Sequence, residues 1–202
     1  MKKSKLILNF IKQKTSQRPS RIKWWKAGLF LIAVTALGGI SSKPSNEETE
    51  EFYDDEVKPK WAPPAWVFGP AWFILSIFMV WGGRRLLSTR RHFPYRQQLL
   101  NLQVMHWFDY LTFRIVYFRL KSPILAMLWT KGDAIIAARS LQLAAKSTDK
   151  KLAISYIPLT LWTSYASTLG FFQALYNPDP LFGTKAPLKV SQPIEKRLLK
   201  KR

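Results

Sequence analysis

The sequence contains no cysteine and only two histidines, His92 and His106. The absence of cysteine excludes a disulfide framework, a cysteine zinc site and a cysteine nucleophile. Two histidines argue against a histidine-rich metal site. The chain also has no glycine-rich phosphate loop and no Gly-x-Ser-x-Gly nucleophile elbow. No catalytic residue, metal site or required cofactor is therefore predicted.

Acidic residues are few and unevenly placed. There are 12 Asp and Glu against 32 Lys and Arg, a formal net charge of +20, and seven of the acids lie in residues 47–56. Such an excess of positive charge can indicate nucleic-acid binding. Here the basic clusters, in residues 2–26, 84–96 and 185–202, flank long apolar segments instead of forming one stripe. Membrane-flanking charge is therefore favoured, and no nucleic-acid partner is predicted.

Five apolar segments follow one another, although the mean hydropathy of −0.10 hides them. A bilayer core of about 30 Å needs a helix of about 20 residues. The predicted spans are approximately residues 24–42, 62–83, 97–118, 122–145 and 152–177. The sequence thus predicts an all-α integral membrane bundle of five transmembrane helices, occupying residues 24–178. A basic N-terminal arm (residues 1–23) and a basic C-terminal tail (residues 179–202) lie outside it.

The third and fourth segments carry charges, so a soluble helical hairpin is the alternative interpretation. A charge at mid-bilayer costs about 2.5–3.5 kcal/mol. Ser122 is a predicted N-cap with Pro123 at the first helical position, which makes the two helices antiparallel. Folding the chain back about this turn puts Asp109 and Lys131 at nearly equal depth, and we expect them to pair. Asp133 has no partner that the sequence identifies.

The distribution of Lys and Arg predicts the orientation. With the N-terminus inside, the loops near the spans obey the positive-inside rule, and the C-terminus lies outside. Arg114 and Arg139, near the ends of their spans, are expected to snorkel. Residues 2–14 form either a basic amphipathic helix on anionic lipid or a disordered arm. The host membrane is a bacterial inner membrane or an organelle membrane.

Tryptophan and proline are concentrated at the start of the second span. Trp61, Trp66 and Trp72 bracket the helix entrance, Pro70 is expected to kink the helix, and Gly69 permits a close approach. Indole rings stack on planar ligands while their N–H groups find acceptors. An aromatic belt without a ligand is the alternative.

Residues 52–72 read FYDDEVKPKWAPPAWVFGPAW. They resemble the tryptophan-rich sensory protein/translocator protein family (TspO/MBR), whose pattern is roughly W-Y-x-x-L-x-K-P-x-W-x-P-P-x-W-V-F-x-P-V-W. Further matches lie in the fifth span, at Pro158, Trp162, Tyr165-Ala166 and Asn177. The third span is similar at Gln103.

The resemblance implies a five-helix membrane fold, usually homodimeric, with a pocket near the loop between the first and second spans. It implies ligands such as porphyrins, haem-like tetrapyrroles and sterols, and hence a membrane receptor or carrier that can hold a bound porphyrin or haem. Carried over position by position, the expected ligand-binding residues are Trp61, Pro63, Trp66, Phe68, Tyr110, Trp162 and Ala166.

This chain departs from the family pattern at several positions. Trp107 and Gly170 each replace an asparagine, which makes the pocket more apolar, and the acidic run of residues 47–56 occupies the position of the lid. One alternative is therefore a structural or assembly subunit of a membrane complex, with another membrane protein as its partner. Another is a porphyrin-degrading enzyme that uses tryptophans near the ligand. His106 is either a haem-iron ligand or a satisfied polar side chain inside the bundle.

Overall fold

The fold is that of a computed structural model, which describes residues 22–40 and 46–189. The described residues do not include residues 2–14, for which there were two predictions, or most of the C-terminal tail. The helices are α1 (Trp24–Ile40), α2 (Asn46–Asp55), α3 (Phe68–Leu87), α4 (Arg96–Arg114), α5 (Pro123–Lys146) and α6 (Lys150–Tyr176). A 3-10 turn (Ala65–Val67) precedes α3, and a π-helical turn (Ile115–Arg119) extends α4.

The five long helices run alternately up and down, as contacts at their ends show. At one end, Arg84 donates from Nε to the carbonyl of Ile22, and Arg85 pairs with Asp149 at 2.6 Å. At the other end, Ser122 donates to Asp179 at 2.6 Å. The all-α bundle predicted from the sequence is confirmed. The short helix α2 was not predicted, because the acidic run was taken for a loop.

Local capping signals fix where α5 and α6 begin. The Ser122 hydroxyl accepts from the backbone N–H of Leu125, with Pro123 in the first turn, as the sequence predicts. Asp149 caps α6 by accepting from two backbone N–H groups of its first turn. The buried carboxylate of Asp179 accepts from the N–H of Ile124 at 3.0 Å. A carboxylate at a helix N-terminus is favoured by the helix dipole, so this contact holds the chain after α6 against α5.

Some polar side chains lie inside the bundle, and many large apolar side chains lie on its outer surface. Tyr156 donates to Oε1 of buried Gln103, whose Nε2 donates to the carbonyl of Met79, so three helices share one network. Outward-facing residues of α4, α5 and α6 are between 62% and 68% exposed, namely Val104, Phe108, Ile135 and Leu161. Large apolar surface of this kind indicates contact with lipid or with another protein.

Length and composition identify one helix in the described ranges as able to cross a membrane by itself, Ala65–Leu87. The apolar stretch Trp24–Leu37 is shorter. The other long helices carry polar and charged residues. Several of these side chains, including Gln103, His106, Asp133, Ser140 and Thr163, are buried inside the bundle.

The predicted pair between Asp109 and Lys131 is wrong. Lys131 is exposed, and the two side chains form no ion pair in the structure. Asp133 points to α4 instead, with its Oδ1 2.5 Å from Nδ1 of His106. Positions 131 and 133 lie about 200° apart around a helix, so only one of them can face α4.

Glycine allows α6 to approach its neighbours closely. A Cβ atom on Gly170 would lie 2.7 Å from Oγ1 of Thr130 and 3.4 Å from the Cα of Met127, both on α5. A Cβ on Gly82 would lie 2.5 Å from Oγ of Ser155. Small residues at such crossings are typical of membrane helix packing, where close backbone approach replaces the hydrophobic driving force.

Candidate ligand-binding site

A cavity of about 470 Å³ lies among the helices, and residues of all six helices line it. Eight of its 18 lining residues are aromatic: Tyr53, Phe68, Trp72, Phe73, Tyr110, Phe113, Tyr117 and Phe118. Its size is within the usual range for small-molecule sites, which are mostly apolar with a few polar groups. The cavity is therefore the candidate binding site.

One stripe of α4 supplies a large part of this wall. Tyr110, Phe113, Arg114, Tyr117 and Phe118 recur at spacings of three and one, which places them on one helical face. The aromatic rings of this stripe contact one another and their neighbours. Phe113 stacks on Tyr117 with centroids 5.7 Å apart, and Tyr117 meets Phe118 edge-on at 4.7 Å.

Small residues of α5 and α6 form another part of the wall. Ala126 and Thr130 come from α5, and Ala166 and Gly170 come from α6, which also contributes Leu169 and Gln173. The short side chains leave volume open beside the aromatic rings.

Residues 46–64, which comprise α2 and the chain up to Pro64, are called the lid here. Tyr53 of the lid lines the cavity and donates its hydroxyl hydrogen to the carbonyl of Pro63 at 2.9 Å. Burial raises the pKa of Tyr53 above its ordinary value, so its hydroxyl remains a donor. Nζ of Lys58 lies 4.1 Å from the centre of the Tyr53 ring and 2.6 Å from a carboxylate oxygen of Asp54.

Two contacts with α6 fasten the lid over the cavity. The backbone N–H of Val57 donates to Oδ1 of Asn177 at 2.7 Å, and Nδ2 of Asn177 donates back to the carbonyl of Val57. Tyr165 donates from its hydroxyl to the carbonyl of Trp61 at 2.9 Å. Asn177 therefore satisfies both backbone groups of one lid residue, because a side-chain amide is both a donor and an acceptor.

Glu56 is a buried residue of the lid and belongs to a polar chain that reaches the cavity. Tyr117, a cavity residue, donates to Oε2 of Glu56 at 3.3 Å and accepts from Nε2 of Gln173 at 2.5 Å. Burial raises the pKa of Glu56 to about 7, and the negative charge of Asp179 adds to this effect. The hydrogen bond from Tyr117 and the charge of Lys58 oppose it.

The structure brings three of the predicted binding residues to the cavity wall, Phe68, Tyr110 and Ala166. Trp162 lies behind Phe68, with ring centroids 5.9 Å apart, and does not line the cavity. Pro63 contributes its carbonyl to Tyr53.

The remaining two predicted residues come before the first residue of α3. The rings of Trp61 and Trp66 are 47% and 67% exposed, and Trp61 meets Tyr165 edge-on. Neither ring lines the cavity in this arrangement. Their role in binding stays a prediction.

Several cavity residues were not predicted from the sequence. Trp72 lies within the tryptophan-rich segment, and its ring meets Tyr110 with centroids 5.6 Å apart. Phe113, Arg114 and Tyr117 were overlooked because Arg114 was interpreted as a snorkelling residue. The signal was present as the helical periodicity of the aromatic residues between positions 110 and 118.

His106 is a satisfied interior side chain, as one of its two interpretations proposed. It is 1% exposed and does not line the cavity. Its Nδ1 contacts Asp133, and its Nε2 lies 3.5 Å from Oγ of Ser140. With both ring nitrogens facing protein partners, the haem-ligand interpretation is wrong for this arrangement. Within the described residues no group of acidic and histidine side chains suits a metal ion.

Comparison with known proteins agrees with this architecture. Residues 28–175 match the model of the TspO/MBR family. The chain is 27% identical over 152 residues to the tryptophan-rich protein TspO of Chlorobaculum tepidum, which covers 71% of this chain and 90% of that protein. It is 25% identical over 154 residues to the protein of the same name from Archaeoglobus fulgidus, with 73% and 94% covered. A translocator protein homolog of Schizosaccharomyces pombe is 39% identical over 56 residues, 28% of this chain and 31% of that protein. The chain therefore belongs to the TspO/MBR family of integral membrane helical bundles.

Proposed function

We propose that this protein is a membrane receptor or carrier for planar hydrophobic ligands of the tetrapyrrole or sterol class. The observation that carries the proposal is the cavity of about 470 Å³ whose wall is rich in aromatic rings. A flat apolar ligand gains about 25 cal/mol for each Å² of apolar surface that it buries, before the entropy costs of binding. Edge-on and stacked contacts with the rings add to this gain.

The lid supports the same proposal. Tyr53 belongs both to the lid and to the cavity wall, and Asn177 fastens the lid to α6. A ligand that enters past the lid has to break a small number of hydrogen bonds, each worth about 0.5–1.5 kcal/mol.

The test is a titration of the purified protein in nanodiscs with protoporphyrin IX, haem and a fluorescent sterol, followed by tryptophan fluorescence. We expect saturable quenching or energy transfer with at least one of them. Ala166→Leu fills the cavity and should weaken binding at least about tenfold, the effect of losing 1.4 kcal/mol. Ser164→Leu makes a larger side chain at an exposed position two residues away on α6 and should bind as the wild type does.

A second pair of variants tests the aromatic wall. Trp72→Leu removes a cavity ring, whereas Trp81→Leu removes a ring of the same helix that does not line the cavity. Each variant loses one of the nine tryptophans, so their fluorescence signals remain comparable. Only Trp72→Leu should weaken binding. A folded wild-type protein that binds none of the three ligands would contradict the proposal and favour the assembly-subunit alternative.

A further inference from the structure

Arg114 is the single charged side chain among the described residues that line the cavity. It lies in the last turn of α4, between Phe113 and the π-helical turn. All other described lining residues are apolar, aromatic or neutral polar. A lone guanidinium in such a wall requires an explanation, because a charge within a membrane domain is costly without a partner.

The guanidinium of Arg114 has no protein partner in the part of the chain that the structure describes. Its Nε is buried and makes no hydrogen bond, and no carboxylate lies within ion-pair distance. Its one described interaction is with the ring of Phe118, whose centroid is 5.9 Å from Cζ. An unsatisfied buried donor costs stability unless something else accepts from it.

Two described acidic side chains of the lid have partners of their own. Asp54 pairs with Lys58, and Glu56 accepts from Tyr117. Asp109, five residues before Arg114 on α4, has Asp133 as its charged neighbour. Arg114 itself lines the cavity, so a molecule held there can supply the negative charge that the described ion pairs do not.

We infer that the ligand of this cavity carries a carboxylate, and that Arg114 binds it while the apolar body of the ligand lies against the aromatic stripe of α4. The inference rests on the proposed function and narrows it. A guanidinium presents its N–H groups as a planar fork that matches the two oxygens of a carboxylate. Of the two proposed ligand classes, tetrapyrroles with acid side chains fit this requirement and neutral sterols do not.

The experiment compares an acid with its neutral ester in nanodiscs of phosphatidylcholine. Protoporphyrin IX and its dimethyl ester share the same ring system and differ in the two carboxylates. We expect the wild type to bind the acid about tenfold or more tightly than the ester, the scale of one charge-assisted hydrogen-bonded pair. Arg114→Gln should lose this preference and still bind the ester as the wild type does, which also shows that the variant is folded. Arg139→Gln, at an exposed position of α5, should keep the preference.

Other outcomes are distinguishable. If the wild type binds acid and ester equally, or if Arg114→Gln keeps the preference for the acid, the inference is overturned and the proposed function survives. If a folded wild type binds neither, the proposed function fails first. A last arm repeats the titration in nanodiscs that contain phosphatidylglycerol. Unchanged affinity for the acid supports a carboxylate ligand, whereas competition that Arg114→Gln abolishes would assign the anion to a lipid headgroup and overturn the inference.

Discussion

Nδ1 of His106 lies 2.5 Å from Oδ1 of Asp133, and this contact joins α4 to α5 in the interior of the bundle. The two side chains are 1% and 3% exposed, so neither is reached by solvent. Nε2 of His106 faces Ser140 on the same helix as Asp133. The pair holds α4 and α5 together through two buried polar side chains. The other charged residues of these helices would disfavour a membrane location.

Removing one member of this pair should destabilise the protein more than removing both members. His106→Leu leaves the carboxylate of Asp133 buried without its partner, which we expect to cost about 3 kcal/mol. The double variant His106→Leu/Asp133→Leu buries no charge and should recover part of this loss. Thermal unfolding in detergent, followed by circular dichroism, measures both effects.

Lys131→Leu is the matched control, because Lys131 is exposed on the same helix and makes no ion pair with any residue that the structure describes. It should leave the unfolding temperature unchanged. Strictly additive effects of the two leucine substitutions would show that His106 and Asp133 do not interact, and would contradict the prediction.

The sequence predicts well where its signals are local. The start of α5 at Pro123, capped by Ser122, follows from two adjacent residues and is confirmed. A polar contact between α4 and α5 near position 131 was also predicted, although its partners are His106 and Asp133. The face of the helix was not, since two residues of difference turn a side chain to the opposite side.

The candidate site was predicted in part for a similar reason. Phe68, Tyr110 and Ala166 line the cavity, but Trp61 and Trp66 lie at the helix entrance with exposed rings. A residue pattern indicates which segments approach a site. Which side chains of those segments point inward depends on helix rotation and on contacts between distant segments. The contact between Val57 and Asn177, which are 120 residues apart, is of that kind.

Glycine at position 170 should be needed for the packing of α6 on α5. In Gly170→Ala the new Cβ would lie 2.7 Å from Oγ1 of Thr130, so this side chain has to rotate or the helices have to separate. We expect a loss of about 1–3 kcal/mol in stability, the usual cost of overpacking. The midpoint of thermal unfolding in detergent measures it.

Gly132→Ala is the control on the partner helix, because nothing lies within 4 Å of its added Cβ. Alanine is the better helix former by about 1 kcal/mol, so this variant should be as stable as the wild type or more stable. Equal behaviour of the two substitutions would show that Gly170 is not a packing position.

The predicted orientation can be tested with single cysteines, since the natural chain has none. Residues 1–26, 84–96 and 146–151 contain nine, five and three Lys and Arg, against three in 43–60 and two in 119–121. The positive-inside rule then places the exposed residue Arg90 inside and the exposed residue Lys185 outside. In intact bacterial cells a membrane-impermeant maleimide should label Lys185→Cys, and should label Arg90→Cys only after lysis. The reverse pattern would invert the topology.

Docking of the lid should depend on pH through Glu56. Burial raises the pKa of Glu56 from 4.5 to about 7, so the folded protein favours the protonated form. Between these two values the folded state binds more protons than the unfolded state, and its stability falls as the pH rises. Below pH 4.5 both states are protonated, so this stability does not change with pH. Above pH 7 the loss of stability is complete and amounts to no more than about 3 kcal/mol. The charged or titratable groups that face Glu56 are Lys58, Tyr117 and Asp179.

Hydrogen exchange of the lid backbone at pH 5 and pH 8, corrected for the intrinsic rate, measures this dependence. In the wild type, the N–H of Val57 should be less protected at pH 8 than at pH 5, because the ionised carboxylate of the buried Glu56 weakens docking of the lid. Glu56→Gln keeps the shape of the side chain without its charge and should show the same protection at both values. Glu51→Gln, at an exposed position of α2, should retain the wild-type difference. If Glu56→Gln also retained it, the pH response would arise elsewhere, and Glu56 would have no part in holding the lid.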